Sequence, residues 1–178
     1  MADVREKMTQ QRRWFEKVLL WIPGFRGYLQ KEYRRDADHI LRQFLAQQVQ
    51  EGKKHVQQAV RAVTDNGKIM LLKSVDQVNN LMEKIENRIK FAAHGYSGVF
   101  DAVKVKEAEL DQLYEFDARL LDVLGELNAQ LQALPAAAAG DPAAFTAAVQ
   151  DVLERLRGVD TLLNNRENAI KGLVDAGA

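Results

Sequence analysis

The sequence of 178 residues contains no cysteine and only three prolines. Without cysteine the chain can form no disulfide scaffold and no thiolate zinc site, and it offers no thiol nucleophile. Aromatic residues are scarce at 7 %, yet apolar residues as a whole reach 47 %. This apolar share excludes a disordered chain, and the length suits a single domain with a sizeable hydrophobic core.

Long hydrophobic runs are also missing. The densest apolar run near the N-terminus, residues 18–22, is too short for the hydrophobic region of a secretory signal. No segment approaches the roughly 20 uncharged apolar residues that a membrane-spanning helix needs. We therefore expect a soluble protein of the cytoplasm.

The residue patterns of metal and catalytic sites are absent as well. Helical di-metal proteins use Glu-x-x-His pairs, and the nearest patterns here end in His39 and His55, about 24 Å apart on one helix. Ser97 stands two positions after Gly95, but Val99 occupies the place where a nucleophile elbow needs its second glycine. We expect no catalytic residue, no metal ligand, no cofactor and no small-molecule substrate, and hence no enzyme.

Neither sign of charge dominates, since 25 basic residues balance 25 acidic ones. The balance is uneven along the chain: nine basic against four acidic residues give +5 in residues 1–35, and seven against fourteen give −7 in residues 100–178. A neutral chain lacks the basic bias that phosphate contacts require, so we expect no nucleic-acid partner. The asymmetry either reflects solvated helix faces that complement one another, or marks a basic N-terminal arm that seeks an anionic surface.

Helical periodicity dominates the sequence, and turn residues divide it into five predicted helices. The first four are predicted over residues 3–22, 27–64, 68–94 and 97–134, and the fifth begins at residue 142 and frays over residues 172–178. Pro135 is predicted to end the fourth helix, with residues 136–140 as a small mobile loop. Asp141 is the expected N-cap of the fifth helix and Pro142 its first residue, and Gly52 is expected to kink or break the second helix.

Apolar residues recur at alternating steps of three and four in the last three predicted helices. In the third helix this row consists of Leu71, Val75, Val78, Met82, Ile85, Ile89 and Ala92. Such rows are typical of coiled-coil-like packing, in which each helix buries its row against a neighbour at about +20°. Short turns between the second, third and fourth predicted helices favour packing of each as an antiparallel neighbour of the next, so we predict an all-α fold with an elongated antiparallel four-helix bundle over residues 26–178. An amphipathic N-terminal helix over residues 1–25 precedes it.

Two polar residues, Asp117 and Arg166, interrupt the otherwise apolar rows of the fourth and fifth helices. A hairpin folded at residues 135–141 would set Asp117 opposite Val159 and leave the two polar residues about 10 Å apart, too far for a direct pair. In that arrangement Asp117 and Arg166 either fix the register between the two helices or lie at a solvated end of the bundle. The alternative is a buried ionic network that specifies the alignment of the helices.

The N-terminal segment combines both tryptophans of the chain with a cluster of basic residues. On a helical wheel its apolar side chains fall in two adjacent rows, and its basic side chains form a counter-face. The candidate partner or membrane anchors are Trp14, Phe15, Val18, Trp21, Ile22, Phe25, Arg12, Arg13 and Lys17. This helix can dock on the bundle, lie in a membrane interface or bind a partner, and the corner at residues 23–28 can let it swing.

The sequence therefore favours a non-enzymatic helical-bundle scaffold or protein-interaction module. Its expected partner is another protein or a second copy of itself. The alternative is a peripheral membrane protein that contacts the membrane surface through the basic amphipathic N-terminal helix. Both functions depend on surfaces, since no pattern in the chain points to a reaction.

Overall fold

The computed structural model describes residues 34–91 and 107–177, with side chains described over 39–91 and 115–172. This part of the chain contains helices and turns and no strand, which confirms the predicted all-α class. The four long helices are α1 (Arg34–Asp65), α2 (Leu72–Phe91), α3 (Glu107–Ala139) and α4 (Pro142–Gly177). A 3-10 helix at Ile69–Leu71 precedes α2.

Several predicted features lie outside the described residues. They are the N-terminal helix and domain at residues 1–25, the predicted start of α1 at residue 27, and the predicted start of α3 at Ser97. At its other end α4 runs to Gly177, within the range in which it is predicted to fray.

The predicted apolar rows form the core. On α2 the residues Val75, Val78, Met82, Ile85 and Ile89 are almost completely buried. The rows of α3 and α4 are buried in the same way, through Leu120, Leu124, Leu127, Leu131, Leu134, Val149, Val152, Leu156 and Val159. Full burial of one such side chain contributes about 1.5–3 kcal/mol, so these rows supply much of the stability of the fold.

Each helix packs against two others. α1 contacts α2 and α3, and α4 contacts α3 and α2. The expectation that α2 and α3 pack as neighbours is wrong for the described residues, in which these two helices lie diagonally across the core. Instead, α2 and α3 each pack against both α1 and α4.

The turn after α1 ends the helix where the sequence predicts. Gly67 has a φ of 67°, a left-handed conformation that glycine adopts without steric strain, and the Lys68 N–H donates to the Val63 carbonyl at 2.9 Å. The Lys68 ammonium donates hydrogen bonds to the carbonyl oxygens of Ala138, at 2.8 Å, and Gly140. Lys68 therefore caps the C-terminus of α3 and fastens the two interhelical turns together.

The prediction that Pro135 ends α3 is wrong. The helix continues to Ala139, although proline lacks the N–H that would bond to the preceding turn. Burial of Leu134 and Ala138 offsets this loss, and alanine is the best helix former among the residues. The predicted loop over residues 136–140 is therefore mostly helix.

The turn between α3 and α4 is short as a result. Asp141 Oδ2 accepts a hydrogen bond from the Ala144 N–H at 2.9 Å, which confirms Asp141 as the N-cap of α4. Pro142 is the first residue of the helix, also as predicted. The chain therefore reverses at residues 140–141.

Gly52 neither kinks nor breaks α1, which runs unbroken through this position. A Cβ atom at Gly52 would lie 2.7 Å from Asn128 Oδ1, 2.7 Å from Leu131 Cδ1 and 2.8 Å from Met82 Cε. These distances are far shorter than ordinary contacts. Glycine is required here because it lets α1 approach α2 and α3 closely.

Substitution of Gly52 by alanine is expected to lower the free energy of unfolding by about 1 kcal/mol. Overpacking a buried site costs about 1–3 kcal/mol, and this cost outweighs the gain in helix propensity of about 1 kcal/mol that alanine brings. The matched control is Gly158→Ala on α4, where nothing lies within 4 Å of the new Cβ. That variant should be more stable than the wild type by up to about 1 kcal/mol. Urea denaturation measures both, and an equal rise in stability in the two variants would contradict the close-packing role of Gly52.

Candidate functional site

Asp117 and Arg166 form a buried ion pair between α3 and α4. Arg166 donates from Nε to Asp117 Oδ1 at 2.7 Å. Asp117 is 4 % exposed and Arg166 8 %, so the pair is largely withdrawn from water. The expected separation of about 10 Å was wrong, since the two side chains are in direct contact.

The cause of this error is the position of the α3–α4 turn. Because α3 extends beyond the predicted terminator, the chain reverses later, and Arg166 instead of Val159 lies opposite Asp117. A second ion pair, from Arg155 Nη1 to Glu126 Oε2, fits the same register. The two pairs thus link α3 to α4 at separate levels of the hairpin.

A buried carboxylate that the sequence analysis missed lies on α2. Glu86 is 6 % exposed and accepts hydrogen bonds from Gln50 Nε2 at 2.8 Å, Lys53 Nζ at 3.1 Å and Lys90 Nζ. Burial raises the pKa of Glu86, but the hydrogen bonds from Lys90, Gln50 and Lys53 together lower it from 4.5 to about 2. Its one sequence signal is Lys90 four residues later, a spacing equally typical of exposed helix pairs.

Charged side chains also connect α2 to α4, in a group that we call the α2–α4 ionic cluster: Lys84, Arg88, Asp160 and Glu167. Asp160 accepts from Lys84 Nζ at 2.8 Å and from Arg88 Nη1 at 2.6 Å, and Arg88 Nη2 donates to Glu167 at 3.3 Å. Burial raises the pKa of Asp160, but the hydrogen bonds from Lys84 and Arg88 bring it below its ordinary value. A hydrogen bond from Lys171 lowers the pKa of Glu167, against a smaller opposing effect of burial.

The electrostatics of these carboxylates fit a structural role. A carboxylic acid that donates protons at neutral pH needs a raised pKa, whereas the pKa values of Glu86, Asp160 and Glu167 are all lowered. Each of the three is ionised at neutral pH and bonded to lysine or arginine side chains. Within residues 34–91 and 107–177, no group of three or more His, Cys, Asp and Glu side chains is placed to hold a metal ion.

A polar groove of about 540 Å³ lies along α1 beside the end of α2. His39, Gln43, Gln50 and Lys90 are among the residues that line it. His39 and Gln43 bond to each other at 2.9 Å, while Gln50 and Lys90 donate to Glu86. These four polar side chains therefore form hydrogen bonds within α1, within α2, or across the contact between these two helices.

Two exposed apolar side chains mark the turn between α1 and α2. Ile69 is 65 % exposed and Met70 93 %, and we call this pair the exposed apolar turn. The hydrogen bonds of Lys68 place it beside the end of α3. The sequence does not reveal this turn, because residues 69–72 are four consecutive apolar residues. Nothing in their spacing distinguishes the exposed Ile69 and Met70 from the half-buried Leu71 and Leu72.

The predicted N-terminal anchors lie outside the described residues. They are Trp14, Phe15, Val18, Trp21, Ile22, Phe25, Arg12, Arg13 and Lys17. In the part of the chain that the structure describes, no helix combines the length and the apolar character needed to cross a lipid bilayer.

Comparison with known proteins gives no relative: no protein-family model, no curated protein and no solved structure matches the chain. Over residues 34–91 and 107–177 the fold is all-helical, with four long helices. Its functional surfaces must therefore be inferred from its own residues.

Proposed function

We propose that the protein is a non-enzymatic helical module that works as a scaffold or protein-interaction module. In this proposal the four helices form an elongated four-helix bundle of two antiparallel hairpins, α1–α2 and α3–α4, and the amphipathic helix at residues 1–25 precedes it. The contacts of each helix with two others and the two short turns support this arrangement. The expectation of antiparallel neighbours holds within each hairpin, whereas the contacting pairs α1–α3 and α2–α4 run parallel. We further propose the cytoplasm as its compartment, because the chain lacks cysteine.

The exposed apolar turn is the observation that carries the proposal. Met70 is 93 % exposed and Ile69 65 %, although Leu71 and Leu72, which directly follow, pack against the core. The neighbouring end of α3 consists of alanines, which carry no charge. An apolar group held on a rigid turn is typical of a protein contact site, and the partner that fits it is a protein with its own apolar patch.

Photo-crosslinking from position 70 tests this function. A photoreactive amino acid at Met70 of the full chain should give one discrete adduct with a protein in cells that express the chain. The matched control carries the same group at Gln57, an exposed residue of α1, and should not give that adduct. Competition with unlabelled chain should remove the adduct, whereas competition with Met70→Asp should not. Identical adducts from both positions, or none from position 70, would contradict the proposal.

A second candidate is peripheral membrane binding through the N-terminal segment. The sequence supports it, because on a helical wheel Trp14, Trp21 and Phe25 would share one face with basic residues opposite. Aromatic rings favour the headgroup region of a bilayer, and lysine and arginine favour anionic lipid.

Sedimentation with vesicles separates the two candidates. If the second candidate is right, the full chain sediments with anionic vesicles at low salt and is released at high salt, because salt screens the attraction. The double variant Trp14→Ala/Trp21→Ala should then lose binding, and Met70→Asp should keep it. No sedimentation at either salt concentration would remove this candidate and leave the first untouched.

A further inference from the structure

Sulfur in this chain is confined to methionine, because the sequence has four methionines and no cysteine. The structure describes two of these side chains, Met70 and Met82. Met70 is 93 % exposed in the exposed apolar turn, whereas Met82 is 0 % exposed in the core. A reagent dissolved in the surrounding water therefore reaches Met70 directly and reaches Met82 only when the core opens.

Packing decides what a chemical change at each methionine does to the fold. The Cε atom of Met82 lies where α1 and α2 approach closely, 2.8 Å from the position of a Cβ atom at Gly52. An oxygen added to Met82 would overpack this part of the core. Met70 instead lies in the 3-10 helix Ile69–Leu71, in which Leu71 packs against the core and holds the turn in place. An oxygen added to Met70 would extend into solvent and leave the core unchanged.

The thioether of methionine is oxidised by peroxides to a sulfoxide. With hydrogen peroxide, a sulfur lone pair forms a bond to one oxygen while the O–O bond breaks. The hydroxide that leaves takes the proton of the bound oxygen and departs as water, so sulfur loses the two electrons that the peroxide gains. Methionine sulfoxide reductases reverse the change, because two thiols are oxidised to a disulfide and the oxygen leaves as water. Since the chain has no cysteine, both the oxidant and the thiols come from outside it.

We propose that Met70 is a site of reversible oxidation that regulates protein binding at the exposed apolar turn. Met70 is the more exposed of the two apolar side chains of this turn, and oxidation replaces its thioether by a polar sulfoxide that accepts hydrogen bonds. A partner with an apolar patch would have to cover this oxygen without offering it a donor, which weakens the contact. This regulation rests on the proposed function, because it acts on the contact that the turn makes. The oxidised chain stays folded, and reduction of the sulfoxide restores binding.

Oxidation of the purified full chain tests the site itself. Hydrogen peroxide should convert Met70 to the sulfoxide at least about tenfold faster than Met82, and mass spectrometry of peptides follows both reactions. In concentrated urea the two methionines should react at similar rates, because unfolding exposes both side chains. The midpoint of thermal unfolding should be the same before and after oxidation of Met70. Similar rates in the folded chain, or a midpoint lowered by oxidation of Met70, would overturn the proposal.

Competition for the photo-crosslinked adduct of position 70 tests the regulation. Unlabelled chain oxidised at Met70 should need at least about fivefold more protein than untreated chain to remove the adduct. Treatment of the oxidised chain with methionine sulfoxide reductases and dithiothreitol should restore competition.

The matched control is Met70→Leu, which keeps an apolar side chain of similar volume and has no sulfur to oxidise. This variant should compete equally well before and after peroxide treatment. Full competition by the oxidised wild type, or loss of competition by peroxide-treated Met70→Leu, would overturn the regulation and leave the proposed function standing. Absence of the adduct before any oxidation would contradict the proposed function and the regulation together.

Discussion

Replacement of Asp117 by alanine is expected to lower the free energy of unfolding by about 3–5 kcal/mol, because it deprives the buried guanidinium of Arg166 of its carboxylate. Chemical denaturation of the full chain measures this loss. The matched control is Glu126→Ala, which removes the carboxylate of the exposed pair with Arg155 in the same hairpin. Exposed pairs contribute less than about 1 kcal/mol, so the control should lose little stability.

Joint replacement of the buried pair should behave differently. Asp117→Leu/Arg166→Met removes both charges, and buried pairs replaced by apolar side chains of similar volume often lose no stability. If the pair fixes the alignment of α3 and α4, this double variant should remain stable but give more than one set of amide NMR signals. If Asp117→Ala loses no more free energy of unfolding than Glu126→Ala, the ion pair of Asp117 contributes no more to stability than an exposed pair, and the prediction is wrong.

The second large effect is acid destabilisation through Glu86. Its pKa is about 2 in the folded chain against an ordinary value of 4.5, so the folded state holds this carboxylate ionised over a range in which the unfolded state binds a proton. The stabilisation is therefore complete above about pH 4.5 and is lost as the pH falls towards about 2. The full loss corresponds to about 3 kcal/mol.

The variant Glu86→Gln isolates this contribution. Its free energy of unfolding should fall less steeply than that of the wild type between about pH 4.5 and pH 2, since the titrating group is gone. Asp160 and Glu167, whose pKa values are also lowered, account for the pH dependence of the free energy of unfolding that remains in Glu86→Gln. Glu83→Gln, at an exposed position of the same helix, is the control and should keep the wild-type slope. Parallel curves for Glu86→Gln and the wild type would contradict the assignment.

Much of the fold could be predicted from local patterns. The three-four rows identify the buried faces of α2, α3 and α4, because a row of apolar side chains on one helix face has to leave water. The glycine after α1 and the cap at Asp141 were predictable for the same local reason. Each depends on the conformational preference of one residue and its immediate neighbours.

The failures arise where distant parts of the chain decide. Pro135 normally ends a helix, and only the burial of the following turn shows why α3 continues. That single error shifts the hairpin register and hides the contact between Asp117 and Arg166. Glu86 was missed because three side chains, two of them from α1, surround it, and no pattern within α2 contains that information.

Because Lys68 bonds to the end of α3, the turn between α1 and α2 and the turn between α3 and α4 lie at the same end of the four helices. α1 and α3 begin, and α2 and α4 end, at the pole opposite Lys68, so the chain segments on either side of the described helices all attach there. A helix of 32 residues such as α1 is about 48 Å long. Met70, in the turn that follows α1, therefore lies about one helix length from Arg34, the first residue that the structure describes.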